Sequence, residues 1–401
     1  MMILAAALLC VGHTGAADAQ SSPEVIKIGM LGDESGPYAD VGGPGSVAAA
    51  QMAVADFGGS VLGKRIEILV ADDQNNPDIG SAIARRWYDS EGVVAIADGA
   101  PSSVGMAVQG LAHERKRIFL ITGSTTSDLT DKACSPTGMQ FVTDTYSISV
   151  GTARTLVQRG AKRWYFLIAD YNFGYALQRD ATAVVQEMGG TVIGSVRSPL
   201  GTADFSSYLL QAQSSGADVL AFGVAGADLI NAVKQAHEFG VARNGLTLAA
   251  LQLTIADVEG IGLDSAQGLT SVTPFYWDMN DATRAWTKRF LQKRNQIPTR
   301  LHAATYSAVM HYLRAVQAVG TTDAEAVAAK MRAMPVDDPI FPGARVREDG
   351  RVMMDFFLFQ VKSPAESKYP HDDYKILSRI PAEQVFRPLD RSQCPYVHAK
   401  Q

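Results

Sequence analysis

Cysteines, clusters of basic residues and long apolar stretches are all scarce in this 401-residue chain. It has only 3 cysteines, so it is not a small scaffold held together by many disulfides. Its 36 lysines and arginines and 41 aspartates and glutamates give a net charge of −5, and the basic residues form no run. That balance argues against a nucleic-acid partner. No apolar stretch after the first residues is long enough for a membrane-spanning helix.

Sequence motifs for catalysis and for cofactors are also lacking. No pair of histidines has the spacing of a metal site, and no serine stands in the Gly-x-Ser-x-Gly pattern of hydrolases. The segment 42–45, Gly-Gly-Pro-Gly, lacks the spacing of a phosphate loop and is predicted to be a turn into a helix. Asp72 and Asp73 are predicted to be solvated loop acids, and His302 a surface residue. The sequence therefore favours neither an enzyme nor a bound cofactor or metal.

The first 19 residues have the pattern of a secretion leader. Ile3–Val11 is apolar but too short to span a bilayer, and residues 17–19, Ala-Asp-Ala, form a small-residue cleavage signal. We predict a cleaved signal peptide over residues 1–19 and a mature protein in the periplasm. A lipoprotein anchored at Cys10 is the alternative, which Leu9 disfavours because a small residue is expected there.

Removal of the leader leaves Cys134 and Cys394 in the mature chain. Two cysteines in an oxidising compartment often pair, so we predict a disulfide between them. It would tie the C-terminal tail to the first half of the chain. Two unpaired thiols are the alternative.

Strand and helix patterns alternate in two separate sets along the chain. The first set ends near Ile121 and the second runs from Trp164 to about Pro274, and an apolar content of 47% allows each a core. Short buried strands separated by helices indicate parallel crossover units, and hence an α/β fold of two doubly wound lobes. The residues after 363 lack periodicity and are predicted to be an extended tail. The predicted strands are 26–31, 66–71, 93–97, 118–122, 164–169, 191–196, 219–224, 247–251, 269–273 and 353–361.

Hydroxyl-rich segments follow two neighbouring strands of the first set. Ser102 or Ser103 is predicted to be the N-cap of a helix, and Gly123, Ser124 and Thr125 precede a second predicted helix start. Ligands of open parallel sheets bind at the carboxyl ends of the strands, where free helix amides favour an anion. We therefore expect these segments to form a carboxylate-binding cradle. The alternative is that they only cap their helices.

Aromatic residues also fall near predicted strand ends. Such residues supply apolar walls to small-ligand pockets, although some are expected to pack at the edge of the core instead. The candidates are Tyr38, Tyr146, Tyr171, Phe173, Phe275, Tyr276 and Trp277.

Several motifs, in order and in spacing, resemble those of one known family. The chain is similar to the periplasmic solute-binding proteins of branched-chain amino-acid-type ABC transporters, the Leu/Ile/Val-binding family, from about Val25 to Val361. The residues that carry the resemblance are IKIGMLGDESGP at 26–37, AAQMAVAD at 49–56, LGK at 62–64, IEIL at 66–69, the acids 72–73, ADYNFG at 169–174, DFS at 204–206, GAD at 216–218 and KQAHEFG at 234–240.

The resemblance implies a type I periplasmic-binding fold, with two Rossmann-like lobes joined by a hinge of three crossings and a ligand cleft between them. Lobe 1 would comprise residues 25–144 and 275–348, lobe 2 residues 147–272 and 350–363, and the tail residues 364–401. The implied partners are a small solute and the permease and ATPase subunits at the membrane, and a monomer is expected. Family ligand positions match Ser102, Gly123, Ser124 and Thr125 in lobe 1 and main chain at Ala225 and Gly226 in lobe 2.

One position departs from the family pattern. Members that bind amino acids have an acidic residue after the fourth strand of lobe 2, where it holds the α-ammonium, and this chain has Gln252 there. An ammonium without a partner in a closed cleft is unfavourable. The expected ligand is therefore a small carboxylate with an apolar body, an aromatic or other organic acid, with a branched-chain amino acid as the alternative. A ligand-sensing receptor of the same fold is the alternative function, and an enzyme is a third hypothesis without a supporting motif.

Overall fold

The structure is a computed structural model that describes residues 25–398, so the predicted signal peptide lies outside the described residues. The strands are β1 (Val25–Gly32), β2 (Ser60–Val61), β3 (Lys64–Asp72), β4 (Val93–Asp98), β5 (Ile118–Ile121), β6 (Gly138–Gln140), β7 (Arg163–Ala169), β8 (Thr191–Ser198), β9 (Val219–Gly223), β10 (Thr247–Ala250), β11 (Thr270–Thr273), β12 (Pro335–Val336), β13 (Ala344–Val346), β14 (Val352–Met353), β15 (Phe356–Val361) and β16 (Tyr374–Ile380).

Helices cover both lobes and supply the returns between the strands. They are α1 (Gly43–Phe57), α2 (Pro77–Arg86), α3 (Ser102–Glu114), α4 (Thr145–Gln158), α5 (Asn172–Glu187), α6 (Ser206–Ser214), α7 (Ala227–Glu238), α8 (Ile255–Ile261), α9 (Leu263–Ala266), α10 (Asp281–Arg294), α11 (Arg300–Val319), α12 (Ala324–Ala333), α13 (Ala382–Val385) and α14 (Pro395–His398).

The first lobe is built on a six-stranded sheet in the order β2-β3-β1-β4-β5-β6. Its pairs are parallel except for the β2–β3 hairpin. Helix α11, which follows the second lobe in the sequence, packs along α1 of the first lobe. The small residues Ala49, Ala50 and Ala53 of α1 are fully buried and allow this close packing. The chain therefore returns to the first lobe after it has built the second.

The second lobe contains a four-stranded parallel sheet in the order β10-β9-β7-β8 and an antiparallel sheet in the order β11-β15-β16. β7 and β9 are central and apolar, and Phe166 and Phe222 are fully buried there. β8 lies at the edge, so its side chains alternate between exposed and half-buried. In both parallel sheets the strand order reverses around one strand, β1 or β7, and ligand crevices form at the carboxyl ends of such strands.

The region predicted to be an extended tail contains a strand, so that prediction is wrong in part. β16 pairs with β15 from Phe356↔Ile380 to Val361↔Tyr374. Five of its seven residues are exposed because it is an edge strand with one neighbour. An exposed edge strand has no apolar periodicity, and the sequence therefore showed no signal for it.

The single strand predicted over residues 353–361 is also corrected. The structure divides it into β14, which pairs with β13 in a small sheet, and β15, which pairs with β11 and β16. Asp355 lies between them, where its carboxylate accepts hydrogen bonds from the Ala382 amide at 3.0 Å and from Arg379. The apolar run is continuous in sequence, but its two parts belong to different sheets.

The C-terminal segment crosses from the second lobe to the first. After β16 the chain passes α13 and reaches Cys394, which forms a disulfide with Cys134 over a Cα–Cα distance of 5.6 Å. Arg387 lies between the lobes and pairs with Asp131 of the first lobe at 2.5 Å and with Asp180 of α5 at 3.1 Å. The tail therefore connects both lobes and does not end as a free extension.

Candidate ligand-binding site

A cavity lies between the lobes at the carboxyl ends of both parallel sheets. It encloses about 410 Å³ of empty space, including its mouth. The lining residues are Asp33, Tyr38, Val41, Gly42, Gly43, Ala100, Pro101, Ser102, Gly123, Thr125 and Leu301 of the first lobe, with Tyr171, Phe173, Ala225 and Gln252 of the second.

Direct contacts between the lobes close one side of the cavity. The hydroxyls of Tyr38 and Tyr171 are 2.5 Å apart, and the Ala227 amide donates to the Pro37 carbonyl at 3.1 Å. Gly226 has φ of +59°, and a β-carbon there would lie 2.4 Å from the Pro37 oxygen. Glycine is therefore required both for the backbone conformation and for the approach of the two lobes.

The first-lobe wall contains one hydroxyl without a hydrogen-bond partner among the described residues. No described residue forms a hydrogen bond with the side chain of Thr125, which is only 3% exposed and faces the cavity. Helix α3 begins beside it at Ser102, and no side chain caps this helix. Its first-turn amides and the positive end of its dipole therefore favour an anion.

Other predicted cradle residues have a structural role. Pro101 is the N-cap of α3, so the prediction of Ser102 or Ser103 as the N-cap is wrong. The Ser102 hydroxyl accepts the Thr126 amide at 3.1 Å, and the Ser124 hydroxyl donates to the Pro101 carbonyl at 3.2 Å. These two hydroxyls join the neighbouring loops and fix the shape of the wall.

The segment around Gly123 also differs from its prediction. The Gly123 amide donates to the Asp98 carbonyl at 3.0 Å and is therefore not free for a ligand. The expected helix after it is a short 3₁₀ turn, Ser127–Thr130, capped by the Thr126 hydroxyl. Gly123 itself lines the cavity, where its lack of a side chain leaves room for the ligand.

The second-lobe wall combines aromatic rings with one amide side chain. The ring centres of Tyr171 and Phe173 lie 6.0 Å apart. Burial raises the pKa of both Tyr38 and Tyr171, so both phenols stay protonated. Gln252 is only 6% exposed, and its Oε1 atom has no hydrogen-bond partner among the described residues. Ala225 completes this wall.

Four predicted site residues do not line the cavity: Ser103, Ser124, Tyr146 and Gly226. Ser103 is half-buried on α3, and Gly226 lies at the contact between the lobes. Tyr146 lies under the Arg387 guanidinium, with 5.2 Å between that group and the centre of the ring. Its position in the first crossing places it at the tail contact and not in the ligand cavity.

Of the remaining aromatic candidates, three pack at the hinge. Phe275 contacts Trp286, Tyr276 stacks on Tyr374 at 4.7 Å, and Trp277 donates to the His371 carbonyl. They follow the alternative stated above, which is packing at the edge of the core.

The predictions for the loop acids and for His302 need separate corrections. His302 is fully buried; its Nε2 lies 3.0 Å from the Gly42 carbonyl and its Nδ1 accepts the Thr299 amide. Burial lowers the pKa of His302 to about 4. His302 therefore holds the turn into α1 in place and is not a surface residue.

Asp73 is also buried, and its burial raises its pKa to about 8, whereas Asp72 is half-buried.

Some lining residues carried little signal in the sequence. Leu301 enters from α11, which is more than 250 residues after β1. Val41 and Gly42 precede α1 and Gly43 is its first residue, whereas the sequence predicted only a turn at 42–45. By contrast, the strand-end rule covered Asp33, because it directly follows β1.

The cavity is walled by neutral donors and contains no basic side chain among its described lining residues. Asp33 is the only acid there, and its two oxygens accept the amides of Gly36 and Tyr38 and the side-chain amide of Asn75. Within residues 25–398, no group of three metal-ligating side chains is found, and no helix is long and apolar enough to cross a membrane. The site is suited to bind a solute through neutral hydrogen bonds and aromatic packing.

Two α/β lobes that enclose a small-solute cavity define a two-lobed solute-binding protein. The sequence matches the periplasmic binding protein family over residues 25–368, and the chain belongs to that family. A periplasmic binding protein from Burkholderia mallei is 42% identical, with a TM-score of 0.91 over 92% of this chain and 98% of that one. A branched-chain amino acid ABC transporter ligand-binding protein from Burkholderia xenovorans is 36% identical, with a TM-score of 0.82 over 93% of this chain and all of that one.

More distant relatives extend this comparison. Leu/Ile/Val-binding protein homolog 6 of Brucella melitensis is 28% identical over 229 residues, which span 57% of this chain and 58% of that relative. A solute-binding protein of Rhodopseudomonas palustris, solved in complex with benzoate, has a TM-score of 0.80 at 19% identity over 89% of this chain and 97% of that one, and so shares the fold alone. The predicted family and type I fold are confirmed. The family consists of binding proteins and not of enzymes, which confirms that prediction as well.

Proposed function

We propose that this chain is the extracytoplasmic solute-binding component of a branched-chain amino-acid-type ABC importer. It captures a small carboxylate with an apolar, aromatic body between its lobes and delivers it to a permease and its ATPase. The leader pattern of residues 1–19 supports export to the periplasm. The observation that supports the ligand proposal is a contrast between the two ends of the cavity. At one end the Thr125 hydroxyl lies beside the uncapped helix α3, and at the other end Gln252 replaces the acidic residue of the family.

The first end favours a carboxylate. The Thr125 hydroxyl is available as a donor, and the uncapped first turn of α3 starts at the same wall. Hydrogen bonds from neutral donors to a charged acceptor are stronger than neutral ones, and a helix N-terminus adds a favourable dipole. A carboxylate can therefore bind here without an arginine or lysine.

The second end disfavours an ammonium. Gln252 offers an amide, with an acceptor oxygen that no protein group uses. Asp33, the acid of the cavity wall, already has its oxygens engaged by Gly36, Tyr38 and Asn75. An α-ammonium would thus lose its water without gaining a carboxylate partner. A hydroxyl or another neutral donor on the ligand fits the Gln252 oxygen better.

The walls between these ends favour a flat apolar body. Tyr38, Tyr171 and Phe173 contribute rings, and Val41 and Leu301 contribute aliphatic surface. The benzoate complex of the Rhodopseudomonas palustris protein is consistent with a ligand of this class in the same fold. At 19% identity that protein supports the proposal only by analogy.

Binding is coupled to closure of the hinge. The contacts of Tyr38 with Tyr171 and of Pro37 with Ala227 exist only when the lobes meet. A ligand that touches both walls binds the closed form better than the open form and shifts the population by that difference in affinity. The closed, loaded form is what a permease would recognise.

A thermal-unfolding screen of the purified mature protein tests the ligand class. The panel contains benzoate, other aromatic and aliphatic acids, the neutral analogue benzamide, leucine and valine. A ligand that binds the folded state raises the unfolding midpoint by mass action. Stabilisation by aromatic acids but not by leucine supports the proposal, whereas stabilisation by leucine or valine alone would refute the ligand class. Stabilisation by benzamide equal to that by benzoate would refute the proposal that the cavity recognises a carboxylate.

A further inference from the structure

A buried carboxyl group lies directly behind the wall of the cavity. Asp98 ends β4 and is 2% exposed. Three glycines surround its carboxyl: a β-carbon on Gly123 would lie 1.9 Å from its Oδ1, and β-carbons on Gly32 and Gly42 would lie 3.0 and 3.8 Å from its Oδ2. Gly42 and Gly123 both line the cavity. Backbone of lining glycines therefore lies between this carboxyl and the cavity.

Asp98 has few groups that could stabilise a negative charge. Its carboxyl accepts the Ala100 amide at a long 3.4 Å, and the nearby Ser46 hydroxyl is a second group that favours the ionised form. Within residues 25–398 it forms no ion pair with a lysine, arginine or histidine. Asp33, in contrast, accepts short hydrogen bonds on both oxygens. A buried carboxylate without such partners is unfavourable, and its neutral form is favoured instead.

The charged and titratable groups around Asp98 are mostly acidic. The pKa of Asp98 is raised to about 7, mainly by burial and in addition by the negative charge of Asp33. Arg294, at the end of α10, lies near Glu34, and His302 on α11 is neutral because burial lowers its pKa. The groups that face this corner are Asp33 and Glu34 after β1, Asp72 and Asp73 at the end of β3, Arg294 of α10, His302 of α11 and, across the cavity, Asp228 of α7.

A ligand carboxylate at the Thr125 end of the cavity would add a second negative charge beside this carboxyl. Two carboxylates at close range do not both ionise without a large penalty, and one of them takes a proton. We propose that Asp98 is protonated whenever a carboxylate occupies the cavity, so that binding takes up one proton and the affinity for carboxylates falls as the pH rises. This inference rests on the proposed function.

The direction of the pH dependence follows from the state of the free protein. Below pH 7 Asp98 already carries its proton, so the affinity for a carboxylate is constant there. Above that pH the free protein has lost the proton and must regain it on binding. The dissociation constant then rises by up to about tenfold per pH unit. A neutral ligand adds no charge and shows no such dependence.

Isothermal titration calorimetry with benzoate and benzamide between pH 6 and 9 tests this inference. Measurements at pH 8 in two buffers of different ionisation enthalpy give the number of protons taken up by the wild-type protein, which needs no variant. The matched variants are Asp98→Asn and Asp73→Asn. Asp73 belongs to the same acidic corner and its pKa is also raised by burial, to about 8, but Gly80, the glycine beside it, does not line the cavity as Gly42 and Gly123 do.

We expect uptake of close to one proton per benzoate at pH 8 and a tenfold or greater loss of benzoate affinity between pH 7 and 9. Asp98→Asn should abolish both effects, and Asp73→Asn should retain them. A benzoate affinity independent of pH, or uptake that persists in Asp98→Asn, would overturn the inference while the proposed function stands. A benzoate affinity that rises with pH would also overturn the inference, because an ionised Asp98 should repel the ligand carboxylate. If no acid of the panel binds at any pH, the proposed function fails and this inference fails with it.

Discussion

Replacement of Thr125 by valine is the sharpest test of the carboxylate end of the cavity. The substitution removes a hydroxyl and keeps the branched shape of the side chain. Because no described residue bonds to that hydroxyl, the folded protein loses no internal hydrogen bond. The backbone carbonyl of Thr125 still accepts the Thr145 amide at 2.8 Å. We expect the free energy of unfolding to change by less than about 1 kcal/mol.

The effect on binding should be much larger than the effect on stability. A hydrogen bond to a charged group contributes about 1.5–3 kcal/mol. Since about 1.4 kcal/mol corresponds to a factor of ten, the dissociation constant for benzoate should rise about 10- to 150-fold. Benzamide should lose less affinity, because a hydrogen bond to a neutral carbonyl contributes only about 0.5–1.5 kcal/mol.

Ser102→Ala provides the contrasting variant. Its hydroxyl accepts the buried Thr126 amide at 3.1 Å, so its removal leaves that donor without a partner. The expected loss of stability is about 1–3 kcal/mol.

Calorimetry with benzoate and chemical denaturation of the same preparations separate the two effects. Wild-type affinity in Thr125→Val would refute the placement of the carboxylate at this wall. A large loss of stability in Thr125→Val would refute the claim that its hydroxyl serves the ligand and not the fold.

Three further predictions concern closure, the tail and pH. Gly226→Val should hold the lobes apart, because its β-carbon would lie 2.4 Å from the Pro37 oxygen, and weaken benzoate binding at least about tenfold. A ligand-induced decrease of the radius of gyration equal to that of the wild type would contradict this. The double variant Cys134→Ser, Cys394→Ser should lose about 2–5 kcal/mol of stability with its ligand affinity retained, and equal denaturation midpoints would count against it. The pKa of His302 is about 4 in the folded protein and 6.5 in the unfolded chain, so its contribution to stability is complete above pH 6.5 and falls by about 3 kcal/mol towards pH 4. His302→Gln should lack this loss, and a pH profile of its stability parallel to that of the wild type would contradict the assignment.

Much of the fold could be predicted because its signals are local. The strands β1, β3, β4 and β5 of the first lobe, and β7 to β11 of the second, coincide within one or two residues with apolar runs bounded by turn residues. The strand β16 could not be predicted in this way, because five of its seven side chains are exposed at the edge of its sheet. The boundary between β14 and β15 depends on which sheet each part joins, and no local pattern records that choice.

The sequence predicted the location of the candidate site more accurately than the roles of its residues. The strand-end rule covered Tyr38, Ser102, Gly123 and Thr125, all of which line the cavity. It could not tell which hydroxyls are free, since that depends on partners across the sheet. Ser124 and Thr125 are neighbours in the sequence, but only the Ser124 hydroxyl reaches Pro101 on the adjacent loop.

The sequence by itself determined the two-lobed α/β fold and the family, because both depend on periodicity, turn residues and short motifs that lie next to one another in the chain. It also indicated the edge of each sheet at which a ligand binds. Only the tertiary structure decided that Thr125 is free, that Leu301 enters the cavity and that Asp98 lies behind Gly123. These facts depend on contacts between segments that are 20 to more than 200 residues apart, where burial and competition for hydrogen-bond partners assign each group its role.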